Sequence, residues 1–258
     1  MKLFPLLHLL FFLLISASVI AQNTRIKNNN TIGWYSYNGT FKVGKKFGIH
    51  TDYQFRRIDV VSNWQQSLLR VGINYQLNPK VSFRMGYAWV ETFPYGEIPI
   101  NEMGKNFTEH RLFQMLTIKD KISIIDLSHR FMLEQRWVGA YSNADLPKED
   151  IFPLTNRIRY MLRLQIPLKG NEIKDKTPYL VLFDEIFIGY GKNLRENIFD
   201  QNRLAILFGY RFSPLFRIEA GYLNQTVQLG REVNNRNVFQ YNSGLLLNTY
   251  FTIDFTKK

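Results

Sequence analysis

Residues 157–168 read RIRYMLRLQIPL, and the order of their side chains decides the fold. Ile158, Tyr160, Leu162, Leu164, Ile166 and Leu168 share one parity, while Arg157, Arg159, Arg163 and Gln165 share the other. Successive side chains of a strand point to opposite faces, so this order makes one apolar and one cationic face. On a helix the two sets would mix around the circumference. The segment is predicted as a strand.

The same order recurs along the chain. Leu69, Val71, Ile73, Tyr75 and Leu77 stand against Arg70, Asn74 and Gln76. Val81, Phe83, Met85, Tyr87 and Trp89 stand against Ser82, Arg84, Gly86 and Ala88. Leu204, Ile206, Phe208, Tyr210 and Phe212 stand against Arg203, Ala205, Gly209 and Arg211. Eleven candidate strands are found in all, near 31–43, 47–57, 64–77, 81–91, 107–118, 122–137, 155–168, 178–190, 201–212, 216–227 and 238–255. Most exceed the ~5–6 residues usual for strands of soluble proteins. Short polar turns near 44–46, 78–80, 119–121 and 213–215 alternate with longer loops near 92–106, 138–154, 189–200 and 227–237. Asn78-Pro79 and Ser213-Pro214 are turn dipeptides in their own right.

Alternation leaves open which face meets water. A soluble sandwich turns its apolar face inward, whereas a membrane barrel turns it toward lipid and encloses the polar face. Aromatic residues make up 15% of the chain and gather at strand ends. Phe41, Phe47, Phe83, Phe212 and Phe216 lie beside the short turns, and Tyr53, Phe55, Tyr87, Trp89 and Trp137 lie toward the long loops. Two such girdles belong to a membrane barrel. The polar faces interleave arginine with Gly72, Gly86, Gly209 and Gly221, leaving room for long side chains in a narrow lumen, and the last strand ends on Phe255. Barrels of this kind carry an even number of strands. Twelve are therefore expected, with a short first strand within 22–30, or ten if one segment is misread.

The first residues have the order of a secretory signal. Lys2 is followed by an apolar stretch from Leu3 to Ile15 and by small residues up to Ala21, with cleavage expected before Gln22. The apolar stretch is shorter than the ~20 residues of a spanning helix. No later run approaches that length. The absence of cysteine excludes disulfides, thiolate metal sites, a cysteine nucleophile and a lipidated N-terminal cysteine. The net charge of +12 would suit nucleic acid. Here, however, the arginines are dispersed at alternate positions over many strands rather than gathered in an exposed stripe, so no nucleic acid is expected.

The chemistry of the chain lies on its polar faces. Arg56, Arg70, Arg84, Arg111, Arg130, Arg136, Arg157, Arg159, Arg163, Arg203, Arg211 and Arg217 face Asp52, Glu109, Glu134, Glu219 and one of Asp184 and Glu185. Buried charges require partners and guanidinium forks suit carboxylates, so one expectation is a charge ladder filling the lumen. Arginines outnumber acids, so the other is a passage for small anions. A lipid-modifying barrel enzyme is the alternative. After the signal the histidines are His50, His110 and His129. Ser128 and His129 are neighbours on a strand and point apart, so they form no pair. No catalytic residue, metal or cofactor is assigned.

Several short signatures occur in order: Glu109-His110-Arg111 with Gln114; His129-Arg130-Phe131 leading to Glu134-Gln135-Arg136; Arg157 with Arg159-Tyr160; Asp184-Glu185; Gln201-Asn202-Arg203; and Gly221-Tyr222. Together they resemble the outer-membrane barrel family known as domain of unknown function 2490, over essentially the whole mature chain. The resemblance implies a location and a fold and brings no assigned activity. Thr256-Lys257-Lys258 after the terminal aromatic departs from the usual barrel ending.

The expectation is an all-β protein: a signal peptide, 1–21, followed by a single antiparallel transmembrane β-barrel, 22–258. It has about twelve strands (ten as the alternative), short periplasmic turns and longer extracellular loops. It is expected as a monomer in the outer membrane of a Gram-negative bacterium, in contact with outer-membrane lipid. Its role is structural, or the passage of small anionic solutes.

Overall fold

The computed structural model describes residues 25–256; the expected signal peptide lies outside them. Eleven strands follow one another: β1 (Ile26–Lys42), β2 (Phe47–Ile58), β3 (Asn63–Gln76), β4 (Val81–Thr92), β5 (Phe107–Ile122), β6 (Ile125–Val138), β7 (Leu154–Pro167), β8 (Thr177–Tyr190), β9 (Phe199–Arg211), β10 (Phe216–Val233) and β11 (Arg236–Asp254). Each pairs with the next, and β1 pairs with β11, closing one barrel. A twelve-residue strand such as β2, rising ~3.3 Å per residue and tilted by ~40°, climbs roughly 30 Å along the barrel axis.

The strand count corrects the expectation of twelve. Residues 26–30 do not form a strand of their own; they extend β1, with Asn28 opposite Gln240 and Asn30 opposite Asn242. The closing pair is parallel from Ile26 against Val238 to Lys42 against Asp254, whereas every other pair is antiparallel. A parallel ladder pairs the backbone donors and acceptors through slanted bonds, so an odd number of strands closes without leaving an edge.

The connections 43–46, 77–80, 123–124, 168–176 and 212–215 lie at one end, hereafter the turn end. Those at the loop end are 59–62, 93–106, 139–153, 191–198 and 234–235. Two expected connections are strand instead. Residues 119–121 continue β5, and the loop expected over 227–237 is a hairpin closed by Asn234 and Asn235, with φ of 51° and 57°. Asparagine tolerates this left-handed conformation, which suits the tight turn between twisted strands.

The apolar parity points outward. Ile73, Met85 and Phe208 are 58%, 62% and 55% exposed, and Leu69, Trp89, Leu133, Ile158 and Leu204 share that surface. Rings cluster toward both ends of it. Phe216 lies 5.3 Å from Phe212 and 4.8 Å from Phe251 near the turn end, and Trp64 lies 4.3 Å from Phe55 and 5.7 Å from Phe93 near the loop end.

The interior has two walls. Across β8–β11 and β1 an apolar core holds Ile32, Trp34, Tyr179, Val181, Leu207, Leu223 and Leu246; β2–β7 carry most of the charged side chains. Gly72 and Gly86 face each other across β3 and β4, beneath the ring of Phe113. A Cβ on Gly86 would stand 2.7 Å from the Gly72 Cα and 2.8 Å from Phe113 Cζ. Gly86→Val is therefore expected to cost about 2 kcal/mol through overpacking, read as an earlier thermal unfolding in detergent. Gly44→Val, whose nearest neighbour is Phe47 Cβ at 3.9 Å, should unfold near the wild-type temperature.

The 93–106 connection folds over the loop-end mouth. Tyr95 is buried against the core and donates to Gln240 Oε1 at 2.7 Å. Gln240 Nε2 donates to the Ile98 carbonyl at 2.8 Å, and Arg231 donates to that of Pro99 at 2.9 Å. Burial pushes the Tyr95 phenol above its usual pKa.

Candidate functional site

Strand register brings the inward charges together. Glu134 of β6 stands opposite Arg157 of β7, and Arg111 of β5 opposite Arg136 of β6. Glu134 accepts from Arg157 Nε at 2.8 Å and Nη2 at 2.5 Å, and from Arg159 Nη1 at 2.8 Å. Arg157 Nη1 reaches Asp200 at 2.5 Å, and Asp200 lies 3.6 Å from Arg136. Glu109 accepts both arms of Arg111, at 2.6 and 2.7 Å, and Arg136 Nε at 2.5 Å. Glu185 accepts from Arg159 at 2.9 Å and from Arg130 at 2.7 Å. Five guanidiniums and four carboxylates thus form one connected network across β5–β9. Glu134 and Arg157 are 1% and 2% exposed, so each charge depends on its neighbours for the solvation it has lost.

Two smaller groups lie nearer the turn end. Glu219 accepts from Arg163 at 2.5 Å, Tyr179 at 3.0 Å and Tyr250 at 3.1 Å. Asp52 pairs with Arg70 at 3.1 Å and His50 at 3.0 Å.

A cavity of about 590 Å³ occupies the turn end of the interior, reaching Lys119, Asp120 and Asp126 at its mouth. Another, of about 350 Å³, lies toward the loop end beneath Ile100, Tyr141 and Leu194. Arg56, Arg111 and Arg203 line both. Between the cavities lies the ionic network, with Phe187 fully buried among its guanidiniums, 5.0 Å from Arg157 and 4.3 Å from Arg159.

Of the residues expected on the lumen face, Arg70, Arg84, Arg111, Arg130, Arg159, Arg163 and Arg203 line the turn-end cavity. Glu109, Arg136 and Arg157 line the loop-end one, and Glu134 and Glu219 are enclosed by their partners. Arg211 stands apart from the expected ladder. It is the last residue of β9, lines neither cavity, and pairs at the rim with Asp175 of the 168–176 connection at 3.2 Å. Glu185 points inward, whereas Asp184 is exposed on the outer face and accepts from Asn202. Arg56, Arg84, Arg203 and Arg217 have no ion pair among the described residues. Their partners are the amides of Gln54, Gln66, Asn74 and Gln201 and the rings of Trp34, Phe187 and Tyr250.

Asp200 is absent from the alternating pattern because a β-bulge places it. Gln201 opposes Phe187 and Phe199 opposes Ile188, so the pairing skips Asp200 and turns it inward beside Gln201. Tyr179 and Phe187 escape the pattern too, since β8 is apolar on both parities. His50 lies inside, bonded to Asp52. On the outer face, His110 bonds Tyr87 and His129 bonds Tyr160, while Ser128 lines the turn-end cavity.

A closed β-barrel, apolar outside, with an interior walled on one side by apolar side chains and on the other by mostly paired charges, is the class of protein that these features define. The chain belongs to the family described as protein of unknown function (DUF2490), whose model matches residues 31–236, from within β1 to the start of β11. No curated protein matches it.

Proposed function

We propose that the protein is an outer-membrane β-barrel, closed at rest, that admits small anionic solutes to its arginine-rich interior. The observation that carries this reading is the imbalance around the turn-end cavity. Nine arginines and Lys119 line it, against Asp52, Asp120, Asp126 and Glu185. A cationic lining of this kind favours anions over cations. The exposed apolar belt with rings toward both ends suits contact with outer-membrane lipid. The buried network between the cavities supports a closed resting state. In planar bilayers with a KCl gradient, the mature protein is expected to show brief openings whose reversal potential favours chloride. Cation-selective openings, or silence at every applied voltage, would count against the reading.

A further inference from the structure

Four guanidiniums around the turn-end cavity have neutral partners only. Arg56 and Arg203 stack on the ring of Trp34, at 3.9 and 4.9 Å. Arg56 is held by Gln54 and Gln66, each at 2.5 Å, and Arg203 Nε donates to Gln201 at 3.0 Å. Arg84 Nε donates to Asn74 at 2.5 Å, and Arg217 lies 4.4 Å from the Tyr250 ring with its buried Nε unpartnered. Arginine does not shed its proton in proteins, and an amide oxygen orients a guanidinium without neutralising it. The terminal nitrogens of Arg84 and Arg203 make no hydrogen bond to a carboxylate or amide among the described residues.

We infer that the turn-end cavity binds a phosphoryl group, with Arg203 and Arg56, which share the Trp34 ring and both line the cavity, as its direct ligands. Arg84 and Arg217, near the turn-end starts of β4 and β10, add charge closer to the mouth. The guanidinium fork matches phosphate oxygens two at a time. A dianion can answer two of these cations, which a monocarboxylate cannot. The cavity's volume of about 590 Å³ falls within the ~300–1,000 Å³ of small-ligand sites, so a phosphate ester fits as well as the free ion. Lys45, Lys46, Lys119, Lys169 and Lys176 stand at the turn end with no ion pair among the described residues. They add a field that draws anions toward that mouth. This inference rests on the reading of the interior as open to anions.

The test uses the mature protein in detergent micelles, folded as judged by heat-modifiable gel mobility. Calorimetric titration and thermal unfolding are followed with inorganic phosphate, glycerol 3-phosphate, and acetate or chloride at equal ionic strength. Phosphate is expected to bind and to raise the unfolding temperature, with acetate and chloride at least tenfold weaker. Binding of the ester as well would assign the site to phosphate esters, and binding of phosphate alone would assign it to the free ion; both support the site. Arg203→Gln and Arg56→Gln should each weaken binding at least tenfold. Because each removes a charge without an ionic partner, neither should unfold earlier than wild type in phosphate-free buffer. Arg157→Gln, which breaks the paired network instead, should unfold earlier yet keep its phosphate response. A folded wild type that ignores phosphate, or unchanged binding in both arginine variants, would overturn the inference. Phosphate binding in micelles without anion passage in bilayers would retain this site and remove the passage reading.

Discussion

Glu134→Ala is expected to lower the unfolding temperature by on the order of 10 °C and to give the barrel a steady anion leak. Glu134 is almost wholly buried and takes three hydrogen bonds from Arg157 and Arg159. Removing one partner of a buried ion pair costs about 3–5 kcal/mol, because the surviving charge stays desolvated. For a chain of this size each kcal/mol is worth about 2–4 °C. The network already carries one more guanidinium than carboxylates, and the substitution makes the excess two. It also removes a side chain from the layer that separates the cavities. Thermal unfolding in detergent and bilayer conductance read the two effects separately. Unfolding at the wild-type temperature would mean that the network does not hold the interior.

Val71→Arg tests the opposite face. Val71 lies midway along β3, points outward between Leu69 and Ile73, and is 45% exposed. In the middle of a bilayer an arginine on a barrel's lipid face costs about 2–4 kcal/mol. On a surface in water the same change stays within about ±0.5 kcal/mol. Val43→Arg, in the first short turn at similar exposure, is the control and should cost little. Denaturant titration of folding into lipid vesicles gives both numbers. Equal costs at the two positions would remove the membrane reading while leaving the barrel itself untouched.

Alternation yields most of the strands, because each carries enough side chains of one parity for period two to emerge; β8, apolar on both parities, is the exception. What it lacks is neighbour identity. Periodicity places Arg157 and Glu134 on inward faces, but only the pairing of β6 with β7 sets them opposite. Asp200 shows the limit most clearly, since a bulge shifts parity within β9 and makes a network residue look like the end of a loop. The hairpin over 227–237 reads as loop for a related reason. Gln228, Arg231 and Asn234-Asn235 are polar, and polar composition resembles a loop even where the backbone is extended. The even-strand rule misleads on the count because the closing pair is parallel. Strand direction at a seam lies in the backbone, and no side-chain pattern encodes it.

That seam has a consequence for how the chain reaches its final shape. Ten of the eleven strand pairings join neighbours in sequence and need only a hairpin or a loop between them. The last joins strands separated by most of the chain, with Ile26 against Val238. Non-local pairing pays its entropy before it returns any stabilisation, and such steps slow folding. Until it forms, β1 and β11 present two long unpaired edges ready to recruit other chains. An uninterrupted register from Ile26 to Lys42 returns a full ladder of bonds once contact is made. The step that leaves the chain most vulnerable to aggregation is thus also the one that removes every edge at once.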